Sequence, residues 1–146
     1  MSELAVFFKQ NKPVKKNEFF PVCADFKDKD GKVINWELRH LSSLELGRIR
    51  SQCMTIQANG KRFNFDGDLY NRMIASHAVV FPDLKNAELV DSYMSEYSLE
   101  DRTPENLICL IVDNDREFQA LVKKVNEMNG INSEEDNKSL VETAKN

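Results

Sequence analysis

No run of apolar residues in this 146-residue chain approaches the roughly 18 that a membrane-spanning helix requires. The opening cluster from Leu4 to Phe8 is too short and wrongly flanked for a secretory leader, so a cytoplasmic protein with no membrane partner is expected. Cysteine is scarce. Cys23, Cys53 and Cys109 are far apart, odd in number and never in a CxxC pair, which argues against a disulfide framework and for reduced, small core residues. The five glycines stand singly, so there is no glycine-rich loop to cradle a phosphate. Neither histidine, His40 or His77, has a His or Cys at metal-ligand spacing. No enzyme, cofactor or metal site is therefore expected. Excess positive charge is absent too: 24 acidic against 20 basic residues leave a net charge of −4. Such a chain has no general attraction to a phosphate backbone, and nucleic acid is not an expected partner.

What is present describes a globule. Hydrophobic residues make up 41% and charged residues 30% of the chain, and a domain of this length buries about 68–70% of the surface its unfolded form exposes. The expected organisation is an N-terminal arm over 1–17, one globular domain over 18–130 and a flexible acidic tail over 131–146. In the arm, Leu4, Val6, Phe7 and Phe8 precede Lys9, Lys12, Lys15 and Lys16 around Pro13. So short a cluster builds no core of its own: its phenylalanines either dock on the parent domain or are offered to another chain.

From Glu18 the period is two. Phe20, Val22, Ala24 and Phe26 share one face, and Ile34, Trp36 and Leu38 share another, predicting a hairpin over 18–41. Asp28-Lys29-Asp30-Gly31 supplies its turn. Asp28, Asp30, Gly31 and Glu37 also fall at the third, fifth, sixth and twelfth positions of a calcium loop. The first position, however, is Phe26, and both flanks read as strands where that loop wants helices.

Helical spacing fills 43–129. Ser42 and Glu45 form a capping box, ahead of a helix burying Leu46, Ile49, Cys53 and Ile56 and ending near Gly60. Lys61 to Phe65 reads as a connector pressed on the domain edge. The core helix is expected from Asp66 or Asp68 to Phe81, with Leu69, Met73, Ser76 and Val80 in one row, Tyr70, Ile74, His77 and Phe81 beside it, and Pro82 as the stop. A short helix through Ala87, Leu89, Val90 and Tyr93 follows. Met94 to Arg102 is polar and reads as a loop. Thr103-Pro104-Glu105 starts the next helix, Asp113-Asn114-Asp115 breaks it, and a last helix carries Phe118, Leu121, Val122, Val125 and Met128 to Asn129-Gly130, antiparallel to its predecessor. The fold class is α+β, mostly α, with one hairpin on four to five helices.

The run VVFPDLKNAELVDSY after a Met-Ile-Ala helix, the hairpin FKDKDGKVINWELRHLSSLE and the ending VNEMNGI resemble, in order and spacing, the XkdN-like tail assembly chaperones of phages and prophages of Gram-positive hosts. The chain departs from that pattern between Met94 and Asp115. The resemblance implies a non-catalytic protein that binds the tape measure protein, keeps it soluble during tail assembly and leaves before the virion is finished. The tail tube protein is a further partner and a homo-oligomer is expected. The apolar residues least required by a core, Leu4, Phe7, Phe8, Leu140 and Val141, are the candidate covering surface. Ala144-Lys145-Asn146 is also compatible with a slippery heptamer and so with a frameshifted long form. The alternative is a nucleic-acid-associated or regulatory phage protein using Lys12 to Lys16 and Lys61-Arg62.

Overall fold

The computed structural model describes residues 2–56, 60 and 63–131. Leu140, Val141, the Lys61-Arg62 pair and the three C-terminal residues lie outside the described residues. The architecture is mixed α+β and mostly helical, with five α-helices and small antiparallel sheets among the described residues.

The hairpin forms, with shorter strands than the alternation suggests. β1 (Glu18–Phe20) pairs antiparallel with β2 (Trp36–Leu38), placing Phe20 opposite Trp36 and Glu18 opposite Leu38. A lone bridge from Lys27 to Val33 closes the distal end. There the Asp28 carboxylate accepts from the amides of Asp30 and Lys32, and Gly31 sits at φ +80°, where a side chain would be strained. Asp28 thus builds a turn, which is how the calcium-like spacing is used. Between strand and turn the alternation fails: Val22 and Cys23 are both buried, while Ala24 is exposed and its N–H donates to Glu117 at 2.8 Å.

α1 (Ser43–Gln52) starts on the predicted capping box: Ser42 Oγ accepts from the Glu45 N–H, and the Glu45 carboxylate accepts from the Ser42 N–H. It ends eight residues before Gly60. Ile56, expected on its buried row, instead belongs to β3 (Met54–Ile56), which pairs antiparallel with β4 (Phe63–Phe65). Ile49, Cys53 and Ile56 fit a helical row, but Thr55 and Ile56 also favour a strand, and the Phe-Asn-Phe partner decides between them. Gly60 does adopt φ +68°, between these strands and not at a helix end.

α2 (Gly67–Ala78) is the core helix, capped by Asp66, whose Oδ1 accepts from the Leu69 N–H. Met73, Ile74, Ala75, Ser76 and Ala78 are buried. It too is shorter than expected, because Val79–Phe81 leaves the helix as β5 and joins the far side of β2, giving strand order β1-β2-β5. Two β-branched residues followed by a pre-proline phenylalanine favour extended backbone. Phe81 is 53% exposed, Val80 is exposed, and His77, read as a core or boundary residue, is exposed. The Phe81-Pro82 peptide is cis.

α3 (Ala87–Met94) is capped by Asn86 and α4 (Pro104–Ile111) by Thr103 with Pro104 at its start. α5 (Asp115–Met128) is capped by Asn114, and Gly130 beyond it sits at φ +84°. α4 and α5 each lie along α2, and α3 lies along α4. The loop after α3 is organised by Arg102, which donates to the carbonyls of Tyr97 and Ser95 and pairs with Asp91 at 3.4 Å. α5 is stitched to the hairpin by Lys124 to Glu18 at 2.7 Å, by His40 Nδ1 against the Met128 carbonyl at 2.9 Å, and by the Leu41 N–H to Asn129 Oδ1 at 2.9 Å. Burying Leu38, Ile74, Leu107, Leu121 and Val125 completely, the core leaves the arm and the β3–β4 ribbon outside it.

Candidate functional site: apolar surfaces outside the core

The arm folds into two turns of 3-10 helix, Leu4–Phe7 and Lys9–Asn11, with no buried residue in either. Ser2 Oγ accepts from the Ala5 N–H, and the Asn11 side-chain amide donates to the Ala5 carbonyl. Phe7 is 82% exposed, Phe8 46%, and Leu4 is exposed as well. Of the two readings of the arm, docking on the parent domain is not what the structure contains: these side chains face solvent.

The ribbon is a second such surface, one the sequence reading missed. Its register sets Met54 opposite Phe65 and Ile56 opposite Phe63, with Thr55 opposite Asn64 between them. Because strand side chains alternate, the four apolar residues share one face and the two polar ones share the other. All four are exposed, Ile56 at 66% and Phe63 at 64%. Phe65 reaches back to the Tyr70 ring of α2, centroids 5.5 Å apart. The alternation of Phe63 with Phe65 was the available signal, and it would have required pairing them with Met54 and Ile56.

A third surface is a groove of about 170 Å³ at the cis-proline corner, lined by Phe26, Trp36, Phe81, Pro82, Leu89 and Tyr93 among others. Trp36 is almost wholly buried at its floor, and Phe81 and Tyr93 stand exposed at its rim.

A polar cleft of about 270 Å³ contains Arg39, His77, Asp83 and Lys85. Its Arg39 is committed to the Glu45 carboxylate and the His77 carbonyl, and Asp83 accepts from the Lys85 N–H. Cys23 contacts Asp25 and the Ile111 carbonyl, Cys53 contacts the Met73 sulfur, and none of these three partners is a histidine. Burial pushes all three thiols up, Cys109 included although it is only half-buried. A raised thiol is a poor nucleophile. Asp113-Asn114-Asp115 is the helix break and cap the sequence suggests. Among the described residues, no group of three or more His, Cys, Asp or Glu is placed to hold a metal, and no helix is long and apolar enough to cross a membrane.

The structure is thus a small α+β domain with exposed aromatic residues on its arm, its ribbon and the rim of its apolar groove. The chain belongs to the phage XkdN-like tail assembly chaperone proteins, whose family model matches residues 4–145. No curated protein matches its sequence. The fold is similar to the crystal structure of the protein yqbn, a structural genomics target, with a TM-score of 0.71 at 18% identity over 90% of this chain and 98% of that one. At that identity the likeness concerns the fold.

Proposed function

We propose that this tail assembly chaperone binds the tape measure protein in the host cytoplasm and keeps it soluble until the tail tube encloses it, without catalysing a reaction. The observation that carries this reading is the pair of apolar surfaces outside the core, the arm with Leu4, Phe7 and Phe8 and the ribbon face with Met54, Ile56, Phe63 and Phe65, in a chain of this family. A long helical partner exposes apolar stripes before assembly, and such surface aggregates unless it is covered. Aromatic side chains held away from the core can cover it, while the net charge of −4 keeps the complex soluble. Coverage by contact needs no nucleotide site.

In this reading residues 1–17 are a capture arm on a single domain over 18–130. Leu140 and Val141 in the acidic tail over 131–146 extend the covering surface, and several copies coat one partner. The tail tube protein is a second partner on the same grounds. Co-expression tests the proposal. With this chain present, the tape measure protein should move from the pellet to the soluble fraction and co-purify; a tape measure protein equally soluble without it would contradict the proposal.

A further inference from the structure

We propose that the loop joining α3 to α4 is a further docking surface, one that takes a basic segment of the tape measure protein with Tyr97 and Leu99 as its apolar anchors. The proposal rests on the reading of the chain as a tape measure chaperone and gives one part of that partner a place of its own. Leu99 is 82% exposed and Tyr97 42%, yet the loop that carries them is held from several sides. Arg102 donates from Nε to the Tyr97 carbonyl at 3.1 Å and from Nη2 to the Ser95 carbonyl at 3.0 Å, and its Nη1 meets Asp91. Ser98 Oγ donates to Asp101 at 3.0 Å, and the Asn106 side-chain amide donates to the Asp101 carbonyl at 2.9 Å. A leucine left in water on a loop that is already ordered can be buried by a partner at small entropic cost.

Charge selects the occupant. Residues 88–105 hold six acidic side chains, Glu88, Asp91, Glu96, Glu100, Asp101 and Glu105, against Arg102 alone, an excess of five in a chain whose net charge is −4. That arginine is spent inside the loop. All six except Glu105 are exposed. Glu96 and Glu100 bracket the two anchors, and among the described residues neither has an ion-pair partner. The complement of an apolar anchor set between two free carboxylates is an apolar stretch flanked by lysine or arginine.

The arm has the opposite sign. Phe7 and Phe8 lead into Lys9, Lys12, Lys15 and Lys16, so the arm repels the segments that the loop attracts. Loop and arm thereby suit different stretches of one long partner, and the loop supplies the salt-sensitive share of the binding.

Immobilised peptides tiling the tape measure protein test this, probed at low and high salt with wild type, Tyr97→Ser/Leu99→Ser, Glu96→Lys/Glu100→Lys and Phe7→Ser/Phe8→Ser. Both loop variants should bind the lysine- and arginine-rich peptides about tenfold more weakly or worse, and added salt should weaken those same peptides on wild type. The arm variant should keep them. Glu96→Lys/Glu100→Lys decides the matter if Tyr97→Ser/Leu99→Ser melts lower than wild type. Loop variants that bind every peptide as wild type does, or losses spread over peptides of any charge, would overturn the proposal and leave the chaperone reading standing. A wild type that binds no peptide overturns both. Sedimentation checks the other occupant: loop variants that lose mass relative to wild type would place a second copy on the loop, against the proposal.

Discussion

The guanidinium of Arg39 grips the Glu45 carboxylate through two parallel hydrogen bonds, Nη1 to Oε1 at 3.1 Å and Nη2 to Oε2 at 2.8 Å. The same arginine donates from Nε to the His77 carbonyl at 3.0 Å, and its backbone N–H donates to Ala78 at 2.8 Å. One residue at the end of β2 thus fixes the start of α1 and the end of α2. That placement brings the third strand, β5, onto the sheet.

This contact predicts an acid-sensitive element. The Arg39 hydrogen bonds are the largest cause holding the Glu45 carboxyl down at about 2, assisted by the Ser42 N–H and opposed by burial. The unfolded carboxyl titrates near 4.3. A depressed folded value means the contribution is complete above about pH 4.5 and fades as pH falls towards 2. Both side chains are about one-third exposed, so solvent screening limits the contribution to ~1 kcal/mol. Urea unfolding at pH 7, 4 and 3 should show that loss in wild type and a smaller pH dependence in Glu45→Gln.

Core and rim are predicted to separate cleanly. Leu107→Ala and Ile74→Ala remove side chains with no exposure and should each cost about 2–5 kcal/mol in chemical denaturation. Phe81→Ala, at a half-exposed strand position, should cost well under the ~3–5 kcal/mol of a buried phenylalanine. Equal losses at Phe81 and Leu107 would place Phe81 in the core after all.

Much of this fold was legible in the chain because it rests on local chemistry. The Ser42 and Glu45 box, the Thr103-Pro104 start and the Asn129-Gly130 stop are short-range signals, and α1, α4 and α5 begin or end on them. Three strands were missed, each three residues long: Phe63–Phe65 reads as a connector, while Met54–Ile56 and Val79–Phe81 continue a helical apolar row. Only their partners, Phe63–Phe65 in one case and β2 in the other, turn them into strands. Pairing between distant segments is not written in either segment alone, which is why the ribbon face escaped the sequence reading. The arm residues Leu4, Phe7 and Phe8 are exposed, the alternative the sequence left open beside docking on the parent domain, because nothing near them in sequence offers a core.

The arm is predicted to act in binding and not in stability. Phe7→Ser/Phe8→Ser should leave the melting temperature unchanged within about 1 °C, since exposed substitutions stay within ~0.5 kcal/mol, while recovery of the tape measure protein in pull-downs falls several-fold. A large drop in melting temperature would assign both rings to the core.

The ribbon face should behave in the same way. Ile56→Thr/Phe63→Thr keeps β-favouring residues at two exposed positions and should change stability by less than ~0.5 kcal/mol. Light scattering of the free protein at high concentration should fall, and so should tape measure recovery.

The thiols test for hidden catalysis. Burial raises Cys23, Cys53 and Cys109, so all three should alkylate more slowly at pH 7 than a free thiol and reach the free rate in urea. One thiol reacting faster in the native state than in urea would reveal an activated nucleophile.

The most direct measurement of the central claim is light scattering after urea-unfolded tape measure protein is diluted into buffer with and without a molar excess of this chain. The account predicts that scattering is suppressed by wild type, and much less by a chain with both the arm and ribbon substitutions. Scattering that rises identically with and without the protein would contradict it.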